Sequence, residues 1–269
     1  MDLFNSRYDA DTKTLVGTHM SGFYSCINCL RISLYKLISK GIVPEKISLA
    51  ETLDWYKSQY GQDLYPILYK TDLSKVPELN TNFDFEIFCP TALRHDKLDL
   101  KNFTPIENVY FQPSLSVELT TKLLETKYSI DHSNTIVILH RGNDKWKETK
   151  LSPVEDWIRV VESKYKEGDR ILVQTDEERA KTLFVNHFGD RCFVLEEMIF
   201  GNSHDTNIRP ANNREQWAIF FESVMRIIAK CKYIINHSGN CAMIPVIYRG
   251  NLKGNIQFFN EEVFQYEKD

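Results

Sequence analysis

The chain has 269 residues, enough for one large domain or two of ordinary size, and 42% of them are hydrophobic and 26% charged. That balance excludes both a disordered segment and a membrane-embedded protein. A net charge of −4 excludes general attraction to nucleic acid or anionic lipid, which needs a basic face, and leaves room only for a local basic pocket.

Residues 1–7 lack the basic segment and apolar run of a secretory signal. No apolar stretch approaches the roughly 20 residues that span a bilayer, so no transmembrane segment is expected. The first half then shows a strand near residues 14–16, a turn through Gly22, and a helix to about residue 40. Cys26 and Cys29 fall inside that helix, where they read as packing residues rather than as a redox or zinc pair. With six cysteines and no disulfide framework, the setting implied is reducing and cytoplasmic. Short strands are predicted at 46–49, 67–70, 85–88 and 109–112, followed by a connecting helix over 116–128. This defines a smaller α/β domain over residues 1–130.

The second half, 131–269, alternates strands and helices. Residues 135–139 form a short continuous apolar run, as a buried parallel strand should. Ser152, Pro153 and Glu155 predict a capped helix start, with Ser152 and Glu155 as a capping box. A strand over 170–176, a charged helix over 177–188 stopped by Gly189, and a strand over 192–195 follow. Residues 199–213 are polar and read as a loop. A helix over 214–230 leads to a strand at 233–236, a small-residue turn at 238–240 and a short helix from residue 241. Such alternation predicts a parallel sheet covered on both faces, with ligands bound beyond the carboxyl ends of its strands.

Three strand ends therefore converge. The first carries His140, Arg141, Asp144, Lys145 and Glu148; the second Thr175 and Asp176; the third Asn236, His237, Ser238, Gly239 and Asn240. Each alone has an ordinary reading: a polar turn after a strand, a helix cap, a strand-to-helix turn. Together they supply cations and a helix start for a diphosphate, because guanidinium binds phosphate oxygens in pairs and free N–H groups at a helix start favour an anion. No metal site is expected: Asp9 and Asp11 sit in a polar segment without a preceding buried strand, and Asp96 and Asp99 are similarly placed.

Over roughly residues 116–248 the chain resembles the GDP-fucose-dependent fucosyltransferases, particularly the α-1,6 group with its α-1,2 and protein O-fucosyltransferase relatives. The group's strand followed by His-x-Arg-Arg-x-Asp-Lys and a nearby glutamate is similar to residues 136–139 followed by His140, Arg141, Gly142, Asn143, Asp144, Lys145 and Glu148. Its Ala-Thr-Asp-Asp segment looks like Gln174, Thr175, Asp176 and Glu177. Its helix acid, strand and serine-rich turn look like Glu222 followed by residues 233–240. Gly142 stands where the group has its second arginine, and Glu222 where relatives carry aspartate. In the first half Gly22 looks like the group's glycine loop facing the donor.

The resemblance implies an α/β, GT-B-like fold: two Rossmann-like domains facing a cleft, acceptor on the first and nucleotide-sugar on the second. It implies an inverting, metal-independent and cofactor-free glycosyltransferase moving fucose from GDP-fucose onto a glycan hydroxyl. Arg141 and Lys145 would stabilise the leaving diphosphate, and Glu148 or Asp144 would take the acceptor proton. His140, Arg141, Thr175, Asp176, Glu222, His237, Ser238, Gly239, Asn240 and Gly22 would contact the donor. A UDP-sugar such as UDP-xylose or UDP-N-acetylglucosamine on the same scaffold is the first alternative, and a non-catalytic nucleotide-sugar or glycan-binding relative the second. The partners implied are a nucleoside-diphosphate sugar and a glycan, in a microbial or viral setting.

Overall fold

The structure is a computed structural model that describes residues 3–20, 22–52, 57–76, 79, 94–142, 150–197 and 213–266. In chain order the first elements are β1 (Ser6–Asp9), β2 (Thr14–Gly17), α1 (Phe23–Ile38), β3 (Lys46–Ser48), α2 (Tyr65–Leu68) and β4 (Tyr69–Lys70). Next come α3 (Leu100–Tyr110), β5 (Gln112–Pro113), α4 (Leu115–Lys127), β6 (Thr135–Leu139), α5 (Val154–Lys164), β7 (Arg170–Gln174) and α6 (Glu178–Phe188). The last are β8 (Cys192–Phe193), α7 (Arg214–Lys230), β9 (Tyr233–His237), α8 (Asn240–Arg249), β10 (Asn255–Phe259) and β11 (Glu262–Tyr266).

These elements form two compact units whose segments interleave along the chain. One comprises Met1–Phe88, Asp99–Thr121 and Pro210–Ser223; the other comprises Cys89–Leu98, Lys122–Arg209 and Val224–Asp269. Two of the crossings fall inside α4 and α7 rather than in loops.

In the first unit, β2 pairs antiparallel with β1 and parallel with β3. The β1–β2 turn is held by Asp9, whose Oδ1 accepts from the N–H groups of Asp11 and Thr12, so this acid serves a turn. Helix α1 is buried on nearly every side, including Cys26, Ile27, Cys29, Leu30 and Leu34. Cys26 and Cys29 are both free, and burial pushes the Cys29 thiol up to about 12, which suits packing rather than redox work. Arg31, on the same helix, is fully buried; it donates to Glu107 of α3 and, at 2.7 Å, to Asn28, and lies 4.6 Å over the Phe111 ring.

The strand expected at 109–112 is instead the end of α3 plus the two-residue β5. Asp99 starts that helix by accepting from the Asn102 N–H, and Phe103, Ile106 and Tyr110 then recur on one buried face. Residues 67–70 likewise split between α2 and β4, because Pro66 at the start of α2 favours a helical turn. The strand expected at 85–88 and nearly all of the loop at 199–213 lie outside the described residues.

The second unit is built on a six-stranded sheet of order β11-β10-β9-β6-β7-β8. All neighbours are parallel except the β10–β11 pair. Ile136, Ile138, Ile171, Val173, Ile235, Ile256 and Phe258 pack on Trp157 and Val161 of α5 and on Ala180, Phe184 and Phe188 of α6. The alternate residues Val137, Leu172 and Ile234 are also buried, so both faces are covered, as a parallel sheet requires. Helix α5 departs from expectation at its start: Pro153 is the cap, and the Ser152 hydroxyl makes no hydrogen bond among the described residues. Glu155 and Asp156 still place negative charge in its first turn. The β10–β11 hairpin lies beyond the last element that the sequence pattern predicts. It turns through Asn260 and Glu261, both at positive φ, the geometry that keeps a two-residue hairpin twisted correctly.

Candidate active site

The sheet order puts β6, the first strand of its unit, between β9 and β7. The chain runs from β6 through β7 to β8 on one side, then returns to build β9 and β10 on the other. The strand order therefore reverses between β6 and β9, and α/β sheets bind their ligands outside the carboxyl ends at such a reversal. His140 and Arg141 leave β6 at that edge, Thr175 and Asp176 leave β7, and His237 to Asn240 end β9 and begin α8. All three predicted strand ends are thus brought to one edge of one sheet.

His140 continues the strand, its N–H donating to the Gln174 carbonyl at 2.9 Å. Its ring is buried edge-on against Trp157 and Phe184 and meets the Thr175 hydroxyl at 3.0 Å through Nδ1. Burial pushes its pKa down to about 4, so the imidazole is neutral at physiological pH. Thr175 is buried as well and also accepts from the Glu177 N–H at 3.2 Å. Asp176 grips the next loop: Oδ1 accepts from the Gly142 N–H at 3.0 Å and Oδ2 lies 3.5 Å from Arg141 Nε. Arg141 itself remains about one-third exposed (35%), able to reach a ligand.

At the third strand end, His237 and Ser238 are buried, and His237 Nδ1 approaches the Ser238 carbonyl. Gly239 has φ 121°, a conformation that favours glycine, and caps α8 with its backbone alone. Helix α8 begins there at Asn240, and the amino-terminal end of a helix favours an anion through its aligned peptide dipoles. Ser238 Oγ, Asn236 Oδ1, Gln174 Oε1 and Trp157 Nε1 are buried without hydrogen-bond partners among the described residues. An unpaired buried polar group costs about 1–3 kcal/mol, so each of these atoms favours polar company.

Asp144, Lys145 and Glu148 lie outside the described residues. Glu222 and Gly22 belong to the first unit. Glu222 is fully buried on α7, and its Oε2 accepts from the Tyr24 hydroxyl at 3.0 Å and the Tyr69 hydroxyl at 2.9 Å. Gly22 precedes α1 in an exposed, ordinary conformation in which an added Cβ would meet nothing. Sequence reasoning missed Trp157, which packs on His140 and stacks on Phe258 with ring centroids 4.4 Å apart. Its spacing from Val161 on α5 is that of a core-facing pair, a local signal that does not say which strand end it touches. Among the described residues, no three His, Cys, Asp or Glu side chains gather as a metal would require, and no helix is long and apolar enough to cross a membrane.

Two buried histidines give the second unit a pH dependence. His95 is fully buried, accepts at Nδ1 from the Asn255 amide at 2.9 Å, and is pushed down to about 3 by burial. His140 and His95 both bind a proton far more weakly when folded than the ordinary 6.5 of the unfolded chain. Stability is therefore full above pH 6.5 and falls as pH drops from 6.5 toward 4, because the unfolded state takes up protons that the folded state refuses. Between pH 7 and 5 each histidine should remove about 2 kcal/mol. Thermal melts across that range should show a steep drop that becomes shallower in His140→Gln; a flat profile refutes the assignment.

The architecture, an α/β chain with a largely parallel six-stranded sheet in the second unit, is of the GT-B-like class. No family model matches the sequence, and no curated protein matches it significantly. Among solved structures the chain is similar to the NodZ α-1,6-fucosyltransferase soaked with GDP-fucose, with a TM-score of 0.61 and 12% identity over 93% of this chain and 97% of the other. It is also similar to NodZ from Bradyrhizobium (TM-score 0.57, 12% identity, 93% and 96% covered). A third likeness is to NodZ co-crystallised with GDP (TM-score 0.56, 12% identity, 93% and 96% covered). The fold is shared with these enzymes over nearly the whole chain.

Proposed function

We propose that the chain is a glycosyltransferase that takes a nucleoside-diphosphate sugar at the β6–β9 reversal and transfers the sugar to a glycan hydroxyl. The observation that carries this reading is the placement of Arg141 and the α8 start on the two strands that flank the reversal. A guanidinium on one side and the amino-terminal end of a helix on the other suit the two phosphates of one diphosphate. The likeness to structures crystallised with GDP-fucose and GDP supports GDP-fucose as donor.

On this reading Arg141, with Lys145, offsets the charge that grows on the diphosphate as the glycosidic bond breaks, and no metal is needed for that charge. His140, neutral and fixed by Thr175, presents an uncharged ring beside the donor. Glu148 or Asp144 accepts the acceptor's proton while its oxygen attacks the anomeric carbon, a single displacement that inverts configuration. The donor-contact roles of Asp176, His237, Ser238, Gly239 and Asn240 follow from the same edge. Glu222, which also accepts from Tyr24 and Tyr69, and Gly22 keep their donor-contact roles in this reading.

A thermal-shift panel with GDP, UDP, CDP and ADP, each with and without EDTA, tests the proposal. A diphosphate at about 100 times its dissociation constant should stabilise by ~2.7 kcal/mol, and GDP should lead with no loss on adding EDTA. A UDP shift larger than that of GDP would replace the donor while keeping the site, and no shift with any of the four would sink the transferase reading.

A further inference from the structure

The backbone at Gly142 runs close against two side chains, Glu177 and His140. A Cβ built there would collide with the Glu177 carboxylate and press on the His140 ring. Glu177 follows Asp176 at the end of β7 and caps α6, with its N–H held by Thr175. The two carboxylates therefore wrap the start of the loop that carries Arg141: Asp176 takes the Gly142 N–H and faces the Arg141 guanidinium, while Glu177 fills the space beside Gly142. The roles differ. Asp176 is bonded to the loop and shapes it, whereas Glu177 sets its carboxylate against the backbone of Gly142, the residue next to Arg141.

We propose, building on the diphosphate reading above, that Glu177 is a built-in counter-charge that lowers the site's affinity for the nucleoside diphosphate. The donor and the spent diphosphate both reach Arg141 against this charge, so Glu177 sets how tightly the product is held as well as the donor. A like charge beside an anion acts through the local field and not through a hydrogen bond, so its effect should be the same for every base and should shrink as salt screens it.

The test is equilibrium binding of GDP and UDP to the full chain by calorimetry at low and high salt, in wild type, Glu177→Gln, Glu177→Ala and Glu178→Gln. Glutamine keeps the shape of Glu177 and removes the charge. Glu178, the next residue, is exposed and paired with Lys181, so its variant controls for net charge. Glu177→Gln and Glu177→Ala should bind both diphosphates about 5- to 10-fold more tightly at low salt, a gain of roughly 1.0–1.4 kcal/mol, with Glu178→Gln within twofold of wild type. A silent wild type alongside a binding Glu177→Gln also supports the counter-charge. Unchanged affinity overturns it, weaker binding makes Glu177 a ligand of the nucleotide instead, and an equal gain in Glu178→Gln reduces the effect to net charge. If neither wild type nor either Glu177 variant binds any diphosphate, the site reading itself fails and this inference with it.

Discussion

On the proposed diphosphate reading, Arg141→Ala should lower sugar transfer by about 10²–10³-fold, the loss of roughly 2.7–4 kcal/mol that follows removal of one preorganised donor to developing charge. The guanidinium is the sole cation at the described sheet edge among the predicted site residues; it is about one-third exposed, and Asp176 Oδ2 lies 3.5 Å from its Nε. An ion pair that exposed contributes little to folding, so the melting temperature should move by no more than a degree or two. The measurement is turnover with labelled GDP-fucose and a glycan acceptor, read as kcat/KM, beside a melt of the same preparation. Arg141→Lys should recover only part of the loss, because a point charge cannot bind two phosphate oxygens in one plane. A loss smaller than about fivefold in the alanine variant would place the diphosphate away from β6.

The second large effect is on stability. Glu107→Ala should destabilise the first unit by about 3–5 kcal/mol, since it strips the carboxylate from a guanidinium with no solvent exposure. Asn28 and the Phe111 ring remain beside Arg31, but neither carries a compensating charge. The pair itself is worth much less than this figure, because both ions were desolvated to form it. Replacing both partners together, as Arg31→Met with Glu107→Leu, should therefore recover most of the loss. Urea unfolding of the two variants reads the difference directly. A single variant as stable as wild type would mean that water reaches Arg31.

Much of the carboxyl-terminal half was legible locally. The apolar run of β6 and the charged-apolar rhythm of α7, expected over 214–230 and found as Arg214–Lys230, are patterns a buried strand and an amphipathic helix cannot avoid. Gly189, with φ 54°, stops α6 where the sequence placed the stop. What escaped was whatever depends on distant partners. The β10–β11 hairpin carries a modest signal, and only its pairing with β9 makes it part of the sheet. Residues 109 and 110 are β-formers by type but belong to α3, because the cap at Asp99 and the burial of Phe103 and Ile106 decide the helix first. At the site, the strand ends were readable as motifs. Yet the collision between position 142 and Glu177, 35 residues further on, exists only in three dimensions.

The interleaving of the two units has a consequence for the order in which the protein takes shape on the ribosome. Tyr24 and Tyr69 in the first unit meet Glu222, which leaves the tunnel 198 residues after Tyr24. At about 5–20 residues per second, that is a wait of roughly 10–40 s, during which β6, α5, β7 and α6 have already appeared. The amino-terminal unit is thus begun first and completed late. Ribosome-bound chains halted just before residue 210 should leave the tyrosines without their carboxylate, and released full-length chains should bury it.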